Sequence, residues 1–384
     1  MEQIKRVDEQ GKLQFLLEKV RDDESRKVDL MANTMDLQFN ACTSSHASQV
    51  PGPRIIAESK KGMPTKTFIV NDVCLDQITV DAGLSIKDGR RLSKDYPEEY
   101  SALVNAIWQQ EPKIKLLRTH ETDSHNDIAR AWLSNKYKIF DHAHMIESVM
   151  DSIAHSDAQW KITRGVVTDK NMYMQFKSEF AVAEPAVGDR MALGLNISNS
   201  ETGKGSIVIS QMMFTLACLN GMQTGQSLSR IRRPHLGKAR GWEPGELQHL
   251  RQDTIDAHNY ATRLEIRDQM SYMSNTESFD EAIRQMELAH SRTVDDQPAE
   301  TVERLGQVLK LNESQTKSVL DGLIQTLRQD GYLGRKVNQA TLVNAVTAVQ
   351  HTVPADDVDD WQKLGGKVLE LPSKEWEYVA RKAA

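Results

Sequence analysis

Five cations fall within the stretch SRIRRPHLGKARGW, residues 229–242: Arg230, Arg232, Arg233, Lys238 and Arg240. No acid lies between Gly221 and Trp242. Guanidinium groups fork onto phosphates and stack on bases, and the rings of His235 and Trp242 offer further stacking surfaces. Pro234, Gly237 and Gly241 keep the stretch irregular, so its donors are expected to follow a polyanion's backbone. A smaller aromatic-basic group, Lys136, Tyr137 and Lys138, could hold a phosphate and stack a base. Against these stand two plain alternatives, a solvated loop that balances acids elsewhere and a half-buried strand tyrosine.

The segment GLNISNSETGKGS (194–206) raises a second phosphate question. A P-loop requires GxxxxGK[ST] between a buried strand and a helix. Ser198 stands where the first glycine belongs, Gly205 follows Lys204, and the β-branched run Ile207-Val208-Ile209 comes next. All three requirements fail. Gly203 and Gly205 are therefore expected to supply positive φ in a hairpin loop, with Lys204 at its tip facing solvent and within reach of a nucleic-acid phosphate.

Other chemistry is thinly supported. His120, Glu121, Asp123, His125 and Asp127 cluster, as do Asp141, His142 and His144, but neither HExxH nor a Cys/His quartet is present. Cys218 lies in apolar company with no fixed base beside it, which suits a small hydrophobe better than a nucleophile. No Ser-His-Asp arrangement or GxSxG motif occurs. The sequence thus calls for no cofactor, no metal and no catalytic residue. The three cysteines are far apart and odd in number, which excludes a disulfide framework and fits a reducing cytoplasm. No run approaches a membrane span, and MEQIKRVDEQGKLQFLLEKV has no apolar signal core.

The elements that must position these residues follow from periodicity. The chain has 384 residues, 39% hydrophobic, with net charge -6. From Glu243 onward there are 16 basic and 24 acidic residues, whereas the part before it is near balance. Residues 2–30 read as a charged helix with Leu13, Leu16, Leu17 and Val20 on one face. Residues 40–53 read as a linker, 67–70 and 78–80 as short strands, and 96–110 as a helix. Strand-like AWLSNKYKIF then leads to Asp141 as an N-cap and to a helix burying Met145, Ile146, Val149, Met150 and Ile153. Alternation predicts a hairpin around Asp169-Lys170-Asn171, a loop at FAVAEPAVGD, and a second hairpin around the GKG turn. Beyond Glu243 the spacing predicts helices over 245–273, 279–290, 301–309, 313–329, 339–351 and 355–364, the last stopped by Gly365-Gly366.

The fold class is therefore α+β, an antiparallel sheet of hairpins with packed helices followed by a helical C-terminal region. The expected divisions are an N-terminal helix and linker (1–53), an α+β core (54–242) and an acidic helical region (243–384). AWLSNKYKIFDH, RGVVTDKNMYMQF, VGDRMALGLNISNSETGKGSIVI, ACLNGM and IRRPH resemble the phage- and plasmid-like proteins grouped as domain of unknown function 932, and LVNAVTAVQH and WQKLGGKVLEL are similar to that family's closing helices. The resemblance, spanning about 118–371, implies carriage on bacterial mobile elements and supplies no catalytic residue. A looser likeness, to phage single-strand annealing proteins, implies homo-oligomeric assemblies on single-stranded DNA. The expected role is non-catalytic binding of nucleic acid, single-stranded DNA first, for annealing, recombination or replication. The alternative is a factor that engages a host protein through its acidic helices, and an enzyme ranks third.

Overall fold

Helix α1 (Glu9–Arg26) buries Leu16 and Val20, as the apolar spacing predicts. The helix stops at Arg26, short of the expected end, and the chain continues as strand β1 (Lys27–Asn33). In this computed structural model the described residues are 9–42, 52–57, 65–122, 127–156, 159–216, 220–223, 230–233, 235, 252–274, 276–294, 297–328 and 336–381. Most of the expected linker, and Cys218, lie outside them.

After one 3-10 turn at Thr34–Asp36 come β2 (Leu37–Asn40), β3 (Arg54–Ala57) and β4 (Lys66–Val70). Three helices follow, α2 (Asp72–Asp81), α3 (Ile86–Asp95) and α4 (Pro97–Gln110), then β5 (Ile114–His120) and β6 (Asp127–Ser134). These strands make one sheet in the order β1-β5-β6-β4-β3-β2, antiparallel except where β4 pairs with β6. Residues 33 and 37 end opposite edge strands yet are four Cα steps apart, a reach of at most about 15 Å. A flat six-stranded sheet would separate its edges by about 24 Å. The sheet must therefore curl. Its core face holds α2 and α4, where Phe39, Phe68, Leu117 and Trp132 meet Ile78, Tyr100, Val104 and Trp108. Trp108 stacks on Trp132 at 4.9 Å. The β2 edge is closed by α4: Phe39 N donates to Asn105 Oδ1, and Asn105 Nδ2 donates to Phe39 O, both at 2.8 Å.

Ile78-Thr79-Val80, expected as a strand, lies in α2. Asn71 caps that helix by accepting from Cys74 N at 2.9 Å. Burial of Val73, Cys74, Leu75 and Ile78 then overrides the β-branched triplet.

The second sheet contains both predicted hairpins. After α5 (His142–Ala154), β7 (Trp160–Val167) pairs with β8 (Met172–Ala186), and β9 (Asp189–Asn199) pairs with β10 (Ile207–Thr215). FAVAEPA, expected as a loop, extends β8 instead, because Val182 and Ala183 keep pairing with Ala192 and Met191. β11 (Asn220–Gln223) and β12 (Arg230–Arg233) lie end to end along the free side of β10. One apolar core joins α1, α5 and α6 (Gln252–Met273) to this sheet through Leu16, Met145, Met174, Ile197, Ile209 and Met270.

The remaining helices are α7 (Thr276–Ser291), α8 (Pro298–Leu309), α9 (Glu313–Leu327), α10 (Gln339–Ala348), α11 (Val358–Leu369) and α12 (Ser373–Ala380). Their core includes Met191, Leu193, Met213 and Met222 of the second sheet. Helix α11 runs straight through the two glycines expected to stop it. A Cβ on Gly365 would lie 2.3 Å from Thr347 Cγ2, so the glycine serves the close crossing with α10. Part of the acidic C-terminal charge is turned inward. Asp356 accepts from Thr168 and Tyr173 hydroxyls at 2.9 and 3.1 Å, and Asp359 accepts from Asn196 Nδ2 at 3.2 Å. Hydrogen-bonded pairing of β2 with β3 and packing of α10 and α11 on β11 cross both of the divisions expected at residues 53 and 242. The α+β class, with antiparallel pairing and a helical C-terminal region, is the class observed. Among the described residues no helix is long and apolar enough to cross a membrane.

Candidate nucleic-acid interface

The loop after β9 packs inward. Asn199, Ser200, Glu201 and Thr202 are all buried, and Gly203 takes the predicted left-handed conformation at φ 70°. Gly205, expected to do the same, is not among the positive-φ residues. Tyr137 and the Leu133 side chain lie against Gly203, so the loop docks on the outer face of the first sheet.

Glu201 is the centre of this junction. Its side chain is fully buried, and its carboxylate accepts from Lys27 Nζ at 2.5 Å, Arg130 Nη2 at 3.2 Å and His142 N at 2.7 Å. The last donor is at the first turn of α5, where unpaired N–H groups and the helix dipole favour an anion. Asp141, expected to cap α5 with its side chain, makes no cap hydrogen bond; its carboxylate lies 2.8 Å from Arg118 Nη2 instead. Glu201 takes over the capping task. A β-bulge aims Arg130: Arg118 pairs with Ala131 and Thr119 with Ala129, which leaves Arg130 as the extra residue. Arg118, 1% exposed, forks onto Asp29 at 2.9 and 3.1 Å and donates to Glu201 O at 3.2 Å.

Burial pushes the Glu201 carboxyl up, but His142 once protonated in acid, and Lys27, Arg118 and Arg130 at any pH, outweigh it and hold the group well below the usual carboxylate range. Burial lowers His142 to about 4, opposed by Glu201, so its ring is neutral. That agrees with geometry, since Asn199 Nδ2 lies 3.1 Å from His142 Nδ1 and also donates to Phe140 O at 2.9 Å. Carboxylate oxygens of Glu24, Asp141 and Glu201 come within 4.8 Å of one another. A lysine ammonium already fills the cation's role there, because Lys27 Nζ lies 2.6 Å from Glu24 and 2.5 Å from Glu201. The arrangement is an ion-pair network that struts two sheets and α5 together.

Against this strut two of the predicted binding residues meet. Tyr137 and His235 stack, with centroids 5.1 Å apart and planes 16° from parallel. Tyr137 OH donates to Ser200 O at 2.8 Å, and burial raises its hydroxyl above the usual tyrosine range. Lys138 N donates to His235 O at 2.8 Å. His235 is 5% exposed, and its ring nitrogens lie 3.1 Å from Lys138 O and 3.0 Å from Asn199 Oδ1. The two rings are thus joints between segments, not the open base-stacking surfaces expected. Lys136 is exposed at the turn before them, and Lys204 is exposed on the loop beside them, with Nζ 3.9 Å from Asp76. The expectation of an irregular cationic stretch is corrected at its start. Arg230, Arg232 and Arg233 form edge strand β12, paired with Ser210, Val208 and Ile207. Alternation there places positions 230 and 232 on one side and 233 on the other. Lys238, Arg240 and Trp242 lie outside the described residues.

Sequence reading missed the Glu201 strut. One signal was available: Glu201 is the only acid between Asp189 and Glu243.

Residues 131–243 match the family model described as Domain of unknown function (DUF932). The matched interval contains Lys136, Tyr137, Lys204, Arg230–Arg233, His235, Lys238, Arg240 and Trp242, whereas LVNAVTAVQH and WQKLGGKVLEL lie beyond it. No curated protein and no solved structure matches the chain.

Proposed function

We propose that the protein binds nucleic acid, single-stranded DNA first, without catalysis, on a cationic surface gathered around the β9–β10 loop. The observation that carries this reading is the joint made by Tyr137 and His235. It draws Lys136, Lys204 and the Arg230–Arg233 strand, three segments far apart in sequence, into one neighbourhood. Exposed cations tracking a phosphate backbone release counterions on binding, which gives affinity without sequence preference. Carriage on a phage or plasmid, a bacterial cytoplasm, homo-oligomeric assembly and a part in annealing, recombination or replication complete the proposal, and these rest on the resemblance alone.

The test is fluorescence anisotropy of a labelled single-stranded oligonucleotide over a salt series. Wild-type protein is expected to bind with a steep salt dependence. Replacing Arg230, Arg232, Arg233, Lys238 and Arg240 by Ala is expected to flatten the log–log slope by about 3.5, at about 0.7 for each contact on single strands. Salt-insensitive or absent binding by the wild type sinks the reading.

A further inference from the structure

The cationic surface has a second part that lies outside the family match. Helix α3 carries Lys87, Arg90, Arg91 and Lys94 at positions i, i+3, i+4 and i+7, and all four are exposed. That spacing puts them on one helical face, with neighbouring cations about 5–6 Å apart. The opposite face is locked down. Gly89 is buried, and a Cβ there would lie 2.1 Å from Thr79 Cγ2, so α3 seats directly on α2. Ser85 caps the helix by accepting from Asp88 N at 3.1 Å. The basic face is therefore held outward by packing on its reverse.

This helix is tied to the loop surface described above. Arg90 forks onto Asp76 through Nε and Nη2 at 2.8 and 2.9 Å, and Lys204 Nζ approaches the same carboxylate at 3.9 Å. Asp76 is buried, so Arg90 and Lys204 share one acid between α3 and the loop. Lys87, Arg91 and Lys94 make no ion pair among the described residues.

We infer that Lys87, Arg91 and Lys94 of α3 form a phosphate-contacting arm that extends the Lys204–Lys136–β12 surface along the same single strand. The inference rests on the nucleic-acid reading and adds a site to it. The face fits a phosphate chain better than a lipid surface. A membrane-lying helix pairs its basic face with large apolar residues that enter the bilayer, whereas the apolar residues of α3 are only Ile86, 39% exposed, and the partly buried Leu92. Arg90 acts as a positioning residue, orienting the helix toward Lys204.

The experiment uses the full chain carrying Lys87→Ala, Arg91→Ala and Lys94→Ala together, with the corresponding triple Gln variant as a second form that keeps side-chain length. Anisotropy against a single-stranded oligonucleotide is expected to show a salt slope lower by about 2 in both variants, so that the affinity lost between 50 and 200 mM salt shrinks about 20-fold. Unchanged melting temperatures establish that both variants are folded. Salt-sensitive wild-type binding with a full slope in the variants overturns the arm and leaves the loop surface standing. No salt-sensitive wild-type binding overturns both. Retention of wild type on anionic phosphatidylserine vesicles but not on the oligonucleotide overturns both in favour of a membrane surface.

Discussion

Two charge-rich regions sit side by side in this molecule and do opposite things. In the strut, Lys27, Arg118 and Arg130 are buried among Glu24, Asp29, Asp141 and Glu201, and each cation has a carboxylate within 3.2 Å. On the surface, Lys87, Arg91, Lys94 and Lys136 are exposed with no acid bound to them among the described residues. The first region has spent its charge on holding two sheets and α5 together. The second leaves its charge exposed to solvent, as the proposed nucleic-acid surface requires. Density of charge in the sequence is therefore a poor guide to how much charge the surface offers, and neutralisation within the fold is the better one.

The largest effect expected within this contrast is from Glu201→Ala. It strands Arg130 and one of the two contacts of Lys27 in a buried site, which costs about 3–5 kcal/mol when one partner of a buried pair is lost. Urea denaturation reads it, and a loss below about 1 kcal/mol would mean that the strut is not shared in the way its geometry indicates. Acid should act on the same region. The folded value for His142 is about 4, below its ordinary 6.5, so the fold favours the neutral ring. Stability from this group is complete above pH 6.5 and falls as pH drops toward 4, by about 1.4 kcal/mol per pH unit. At pH 5 that is about 2 kcal/mol, and a His142→Gln variant should lose this part of the pH dependence. Glu201, held well below the ordinary carboxylate range, stays ionised through that window and does not confuse the reading.

Gly89→Ala tests the seat of the exposed arm. Thr79 cannot easily yield, because its hydroxyl donates to Leu75 O at 2.8 Å and lies 2.7 Å from Tyr100 OH. Overpacking should cost about 1–2 kcal/mol in thermal or urea unfolding. It should also weaken oligonucleotide binding if α3 is lifted from its place. Unchanged stability would show that α3 is not seated on Thr79.

Part of this contrast was legible in the sequence. Alternation and turn chemistry gave both hairpins of the second sheet, because each is local: Met172, Met174 and Phe176 face one core, and Asp169-Lys170 turns the chain. The stripe Met145, Ile146 and Val149 gave α5 for the same reason. The curl of the first sheet was hidden, since it depends on β1 pairing with β5 across more than eighty residues. The strut was hidden likewise, as Glu201 draws on Lys27, Arg130 and His142 from three separate elements. Helix α3 shows a different failure. Its basic spacing is plain in IKDGRRLSKD, but only packing against Thr79 shows which face is turned out.

The smallest effects separate the two regions most cleanly, because they oppose stability to binding at adjacent residues. Tyr137 belongs to the strut: its hydroxyl bonds Ser200 O and its ring rests on His235. Tyr137→Phe should cost about 0.5–1.5 kcal/mol of stability for the lost hydrogen bond and leave oligonucleotide affinity where it was. Lys136 belongs to the surface. Lys136→Ala should change stability by less than about 0.5 kcal/mol, as exposed substitutions do, and lower the salt slope by about 0.7, one phosphate contact. If Tyr137→Phe weakens binding while Lys136→Ala does not, the Tyr137 hydroxyl and not the Lys136 ammonium meets the strand, and the division between spent and available charge fails where the two regions touch.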